Sequence, residues 1–212
     1  MADDPASAFD MLAADVRWST FSGDERGKVD GFVRRWRIKP GERVLEPGCG
    51  SGRLTDILAA QCGPAGKVMA FDASPRLVRL AQARGLPPHV TLRIANAETV
   101  QLAPASFDHI VCFNVFPHLV PQEPIACRLA ASLRRGGSFW IAHTRSRIDV
   151  NALHRRGPAF MNGHILPTPR KLELLLRRAG LEDIEIEDGA DRFMARALRS
   201  APASPSGANG HA

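Results

Sequence analysis

Tyrosine is absent from this chain of 212 residues, although ten phenylalanines and three tryptophans are present. With no tyrosine and no repeated aromatic–basic ladder, the stacking platform that holds single-stranded bases is missing. The four cysteines (Cys49, Cys62, Cys112, Cys127) form no C-x-x-C pair and predict reduced thiols in a cytoplasmic protein. No apolar run approaches the ~18 residues that span a bilayer, so no membrane partner is expected. The opening MADDPASAFD is acidic and lacks the basic-then-apolar layout of a secretory leader. Histidines never recur as H-x-H, H-x-x-x-H or H-E-x-x-H, which argues against a metal centre.

What is present describes an ordinary globular chain, 44% hydrophobic and 24% charged. The net charge of +6 raises nucleic acid as a partner. Its arginines, however, are scattered along amphipathic segments such as RLAASLRR with acidic residues between them, which disfavours that partner.

Strand-like and helix-like segments alternate. Helical patterns cover 7–17 and 24–36, and Lys39-Pro40-Gly41 breaks the second. Strands are expected at RVLEP (43–47), KVMAFD (67–72), VTLRIA (90–95), FDHIVCFN (107–114) and SFWIAHT (138–144). Helices fall near 52–62, from the Ser74-Pro75 cap to Arg84, over 121–134 with Gly136-Gly137 as its stop, and over 168–180. Residues 145–166 read as irregular or short-helical, and 181–188 with 192–200 as a hairpin. Together they predict an α/β fold: a doubly wound, mostly parallel seven-stranded sheet, Rossmann-like, with a terminal antiparallel hairpin strand.

The loop after the first strand, VLEPGCGSGRL, places Gly48, Gly50 and Gly52 two apart. Bare glycines there allow positive φ and let a ligand lie against the backbone at the carboxyl end of a strand. The dinucleotide pattern G-x-G-x-x-G is not met, because Arg53 stands where its third glycine belongs, and no Gly-Lys-Ser/Thr follows for a P-loop. Glu46 just before the loop suits a cationic ligand better than a phosphate.

VLEPGCGSG resembles motif I of the class I S-adenosylmethionine (SAM)-dependent methyltransferases, and the likeness in element order extends over about residues 9–198. The resemblance implies that Glu46, Gly48, Cys49, Gly50 and Gly52 approach the amino-acid part of SAM. It implies that Asp72 accepts the ribose hydroxyls. Asn96-Ala97 would face the adenine, Asn96 standing where many relatives have Asp, and Asn114 the transferable methyl. It also implies a helical lid over 1–38, in which Phe9 and Trp18 either contact the cofactor or pack as core of the leading helices, and a SAM-binding domain over 39–200. The small-residue, proline-containing stretch 201–212 has nothing to bury and predicts a disordered tail.

The expected mouth of this site is rich in histidine. His118, His143 and His154 are candidate general bases. Arg147, Asn151 and His154 recur at i, i+4, i+7, so they share one helical face, and Arg147, Asn151 and His164 are candidate substrate contacts. Bacterial relatives carry a similar Ser-Arg…Asn…His segment after the fifth strand, which implies a pocket role for it. The tetrad Asn114-Val115-Phe116-Pro117 differs from that of the amino-methyltransferases of DNA bases, and only Cys49 lies near the loop, too few thiols for metalloid methylation. The expected activity is methyl transfer from SAM to a small molecule by direct displacement. Two alternatives stand beside it: transfer to RNA or protein, and a SAM-binding module without chemistry.

Overall fold

The computed structural model describes residues 20–200; the helix expected over 7–17, Phe9, Trp18 and the tail over 201–212 lie outside them. Helix α1 (Gly23–Trp36) begins at Ser22, whose hydroxyl accepts the Glu25 N–H at 3.3 Å, and carries Asp24 and Glu25 where the helix dipole favours negative charge. Val29, Phe32 and Trp36 form its buried stripe and join Val44, Val68, Val111 and Trp140 of the sheet in one core. The second half of the 1–38 segment is thus a packed layer against the sheet.

Strands β1 (Arg43–Pro47), β2 (Lys67–Asp72), β3 (Val90–Ile94), β4 (Phe107–Phe113), β5 (Leu133–His143), β6 (Leu181–Asp188) and β7 (Phe193–Arg199) form one sheet of order β3-β2-β1-β4-β5-β7-β6. β1 to β5 pair in parallel, while β7 runs antiparallel to both β5 and β6. This is the doubly wound sheet with a closing hairpin expected from the alternation of elements. Consecutive strand residues enter opposite cores: Leu45, Ile110 and Phe139 one, Val44, Val111 and Trp140 the other. Helices α2 (Arg53–Cys62), α3 (Pro75–Gln82), α4 (Gln122–Ser132), α5 (Arg147–Arg156) and α6 (Pro169–Arg178) complete the described elements, with short 3-10 turns at Phe116–His118 and Ala159–Met161.

One boundary differs from expectation. α4 ends at Ser132, and β5 starts at Leu133, pairing with Phe107 before the register shifts to His109 opposite Ser138. Gly136 has φ 75°, and a Cβ on Gly137 would lie 2.8 Å from the Arg134 carbonyl oxygen and 2.9 Å from that of Asp108. The glycine pair therefore makes an irregularity inside a strand, where sequence alone suggests a helix stop.

The strand order reverses between β1 and β4, the position at which open α/β sheets bind ligands. The β1–β4 ladder ends at Leu45 opposite Ile110, although the strands continue to Pro47 and Phe113. Beyond that last pair the carboxyl ends of the strands border a crevice.

Candidate active site

A cavity of about 360 Å³ fills this crevice. Of the nine residues assigned by sequence to a cofactor, Glu46, Gly48, Cys49, Gly50, Asp72, Asn96, Ala97 and Asn114 line it. Gly52 does not; it caps α2 with φ 78°, and a Cβ there would lie 3.0 Å from the Ala81 Cβ. Gly48 lines the cavity, yet its bareness is required by the protein itself, since a Cβ would meet Val115 Cγ2 at 2.2 Å. Of the three loop glycines, Gly50 alone, with φ 54° and nothing within 4 Å of an added Cβ, leaves its missing side chain as open space.

The loop is held by carboxylates. Asp72 Oδ2 accepts the Gly50 N–H and its Oδ1 the Ser74 N–H, both at 2.9 Å, so the end of β2 fixes the glycine loop and the start of α3 together. Glu46 is 2% exposed and accepts the Thr55 hydroxyl at 2.6 Å. Burial, against the pull of the Thr55 hydroxyl and with some help from Asp72, pushes its carboxyl up to about 8. Two carboxyl groups at one end of a cavity favour a ligand with positive charge there and hydroxyl donors beside it. Burial first, then Glu46 and Asp72, hold the Cys49 thiol protonated, and Cys112 is likewise raised, so neither is a nucleophile.

Asn96 turns its side-chain oxygen back to the Glu98 N–H at 2.8 Å, leaving its amide N–H groups and one lone pair for a ligand. Asn114 sits at φ 52°, a conformation that asparagine tolerates better than most residues. Its Oδ1 accepts the Thr144 N–H at 3.1 Å, tying the end of β4 to that of β5. Arg53, which no motif marks as a site residue, also lines the cavity: it donates to the Thr20 carbonyl at 2.8 Å and lies 4.4 Å from the Phe21 ring centroid. Phe21 in turn packs edge-on against cavity-lining Phe113. The chain just before α1 therefore backs two of the cavity's lining residues, Arg53 and Phe113.

The histidines separate into two groups. His118 and His164 line the cavity, their Nδ1 atoms 3.1 Å apart, and the His154 ring lies 4.6 Å from that of His118. Burial, then the neighbouring histidines, push His118 down to about 3. His143 is not among the lining residues. It is 2% exposed, stands opposite Phe193 in the β5–β7 ladder, packs against that ring and is likewise pushed down to about 3 by burial. Its Nε2 has no hydrogen-bond partner among the described residues.

The shared helical face of α5 forms as the spacing predicts, but it turns into protein. Arg147 donates to Asp188 at 2.7 Å and lies outside the cavity lining. Asn151 donates to the Leu166 carbonyl at 3.0 Å and accepts the Leu166 N–H at 2.7 Å. His154 Nδ1 donates to the His164 carbonyl. This face is therefore the anchor of the returning 157–166 segment, which carries His164 to the cavity. Asn151→Ala leaves two buried backbone groups unsatisfied and is expected to cost about 2–4 kcal/mol in urea unfolding.

A family model described as a methyltransferase domain matches residues 44–137. A ubiquinone biosynthesis O-methyltransferase of Xylella fastidiosa is 34% identical over 159 residues, covering 68% of this chain and 63% of that protein. The chain thus spans less than two thirds of the length of the curated relatives it matches. Among solved structures, a SAM-dependent methyltransferase of Aquifex aeolicus superposes with TM-score 0.68 at 20% identity, over 92% of this chain and 99% of that one. Phosphoethanolamine N-methyltransferase 2 of Haemonchus contortus, in complex with SAM, superposes with TM-score 0.74 at 16% identity, over 91% of this chain and 57% of that one. The glycine loop at the switch point, the sheet order and these relatives agree: the chain belongs to the class I SAM-dependent methyltransferases.

Proposed function

We propose that this chain transfers a methyl group from SAM to a hydroxyl of a small, largely apolar molecule. The observation that carries the reading is the cavity itself. Its lining combines the carboxyl groups of Glu46 and Asp72 with the imidazoles of His118 and His164 and with apolar side chains of Phe113, Val115, Leu119 and Val120. The O-methyltransferase named among the relatives supports a hydroxyl as acceptor.

Glu46 would hold the positively charged amino end of SAM, the open backbone at Gly50 would admit it closely, and Asp72 would accept from ribose hydroxyls. Asn96 and Ala97 would flank the adenine, and Asn114 would border the reacting end. SAM supplies a methyl group already activated on a sulfonium, so the chain has to align the acceptor, exclude water and receive the acceptor's proton. Of the three candidate bases, His118 is the one placed on the cavity, and it is neutral throughout the physiological range. His143, buried at the end of β5 against Phe193 of β7, is left with a packing role. His154 acts through His164, and Arg147 and Asn151 belong to the scaffold of the site.

A small acceptor also accords with the surface. Arg26, Arg134, Arg147, Arg177, Arg178, Arg192 and Arg196 each pair with an acidic side chain, which neutralises much of the basic charge a polyanion would use. Among the described residues no helix is long and apolar enough to cross a membrane.

The test is mass spectrometry of small-molecule extracts incubated with SAM and the protein. A new O-methyl product is the expected result; methylation confined to nitrogen or sulfur would sink the hydroxyl assignment. Asp72→Ala removes a charge-assisted acceptor worth about 1.5–3 kcal/mol, so calorimetry should show SAM binding weakened by at least about tenfold.

A further inference from the structure

Three buried or half-buried imidazoles meet where the reacting end of the cavity is expected, and each comes from a different segment: His118 from the turn after β4, His154 from α5 and His164 from the returning loop. Their hydrogen bonds constrain their protons. A carbonyl only accepts, so His154 carries its proton on Nδ1, which it gives to the His164 carbonyl. Two Nδ1 atoms 3.1 Å apart leave room for one proton between them, so one ring of the His118–His164 pair donates and the other accepts.

The two rings differ in surroundings. His118 is flanked in sequence by buried Pro117 and Leu119, His164 by exposed Gly163 and Ile165. Burial first, then His154, His164 and His143, disfavour a positive charge on His118, and the His154 ring packs against it at 4.6 Å. A proton accepted by His118 therefore cannot stay there; a neighbour nearer to water has to take one from it.

We infer that His118 and His164 form a two-ring proton relay serving the acceptor hydroxyl, with His154 as the positioning residue that holds the receiving segment. The inference rests on the hydroxyl-acceptor reading above. As the acceptor's O–H bond breaks, its proton bonds to His118 Nε2. The proton on His118 Nδ1 moves to His164 Nδ1, and the proton on His164 Nε2 leaves to water. Both rings end neutral with their tautomers exchanged. The relay resets after product release, when His118 Nε2 loses its proton to water entering the cavity, His164 Nε2 regains one, and the shared proton returns to His118 Nδ1.

The relay requires one starting tautomer, His118 protonated at Nδ1 and His164 bare there. Nitrogen NMR of the histidine-labelled protein, without any acceptor, reads this directly. A protonated His118 Nδ1 beside an unprotonated His164 Nδ1 is expected; the reverse would overturn the relay whatever the enzyme's activity. Kinetics supply the second reading. His164→Ala keeps the carbonyl that His154 uses, so the loop anchor survives, while the proton exit is lost. Methyl transfer from labelled SAM should fall by about 10²-fold in kcat with KM little changed, and free imidazole should restore part of it. His164→Asn, which can hold a hydrogen bond to His118 but cannot pass a proton, should be as slow as the alanine variant. Wild-type rates in His164→Asn would reduce His164 to a structural role. Absence of transfer by the unsubstituted protein would overturn the hydroxyl reading instead, and the tautomer measurement would still decide the relay.

Discussion

Gly48→Ala is expected to destabilise the fold by about 2–5 kcal/mol and to abolish SAM binding. The added Cβ would lie 2.2 Å from Val115 Cγ2 and 2.9 Å from its Cβ, closer than any side chain settles. Overpacking of this kind costs about 1–3 kcal/mol, and a non-glycine residue at φ 67° adds about 1–2 kcal/mol. For a domain of this size the melting temperature should drop by roughly 5–15 °C. Trimming the obstacle tests the cause: Gly48→Ala with Val115→Ala should recover part of the loss, because the Cγ2 methyl at 2.2 Å is gone while the Cβ at 2.9 Å remains. Gly50→Ala should behave in the opposite way. Its Cβ meets nothing within 4 Å, so the chain should lose only the backbone cost of about 1–2 kcal/mol while SAM affinity collapses. If Gly50→Ala bound SAM normally, the close approach assigned to that backbone would be wrong.

The second large effect comes from Glu46. With its carboxyl raised to about 8 in the folded chain, the native state holds a proton that the unfolded chain releases near 4.5. Stability is therefore greatest below the unfolded value, falls as pH rises from 4.5 towards 8, and is level above. At about 1.4 kcal/mol per unit of pKa difference, the whole decline is roughly 5 kcal/mol. Glu46→Gln should flatten that slope and make the protein more stable than wild type at pH 8, as measured by denaturant unfolding across pH. The same residue links SAM binding to protons. A cation seated against Glu46 favours the carboxylate, so binding at pH 7 should release close to one proton, and affinity should rise about tenfold per pH unit up to about 8. Calorimetry in buffers of different ionisation enthalpy measures that release directly. A proton count of zero would mean that Glu46 is already ionised or that the cation binds elsewhere.

Much of the fold was legible because its signals are local. The apolar run FDHIVCF, the Ser74-Pro75 cap and the glycine loop each report on their own few residues, and each lies where its pattern predicts. The Gly136-Gly137 pair misled because glycines serve a helix stop and a strand irregularity equally well; only the facing Asp108 carbonyl distinguishes the two. The glycine loop was legible as a ligand site, but not the division of labour within it. That Gly48 makes room for Val115 and Gly50 for open space depends on a residue 67 positions away.

The α5 face shows the same limit. The spacing of Arg147, Asn151 and His154 identified a shared face, yet what that face meets is set by the return of 157–166. Asn151 and His154 are spent on the backbone of that segment and Arg147 on Asp188. His118 and His164 are 46 residues apart in the chain, and their contact follows from topology rather than from any local pattern.

Transfer of labelled methyl from SAM into a cell extract, afterwards separated into small molecules, RNA and protein, tests the central claim most directly. The account predicts label in the small-molecule fraction and its loss with Asp72→Ala. Label confined to RNA or protein, or no label from a protein that demonstrably binds SAM, would contradict it.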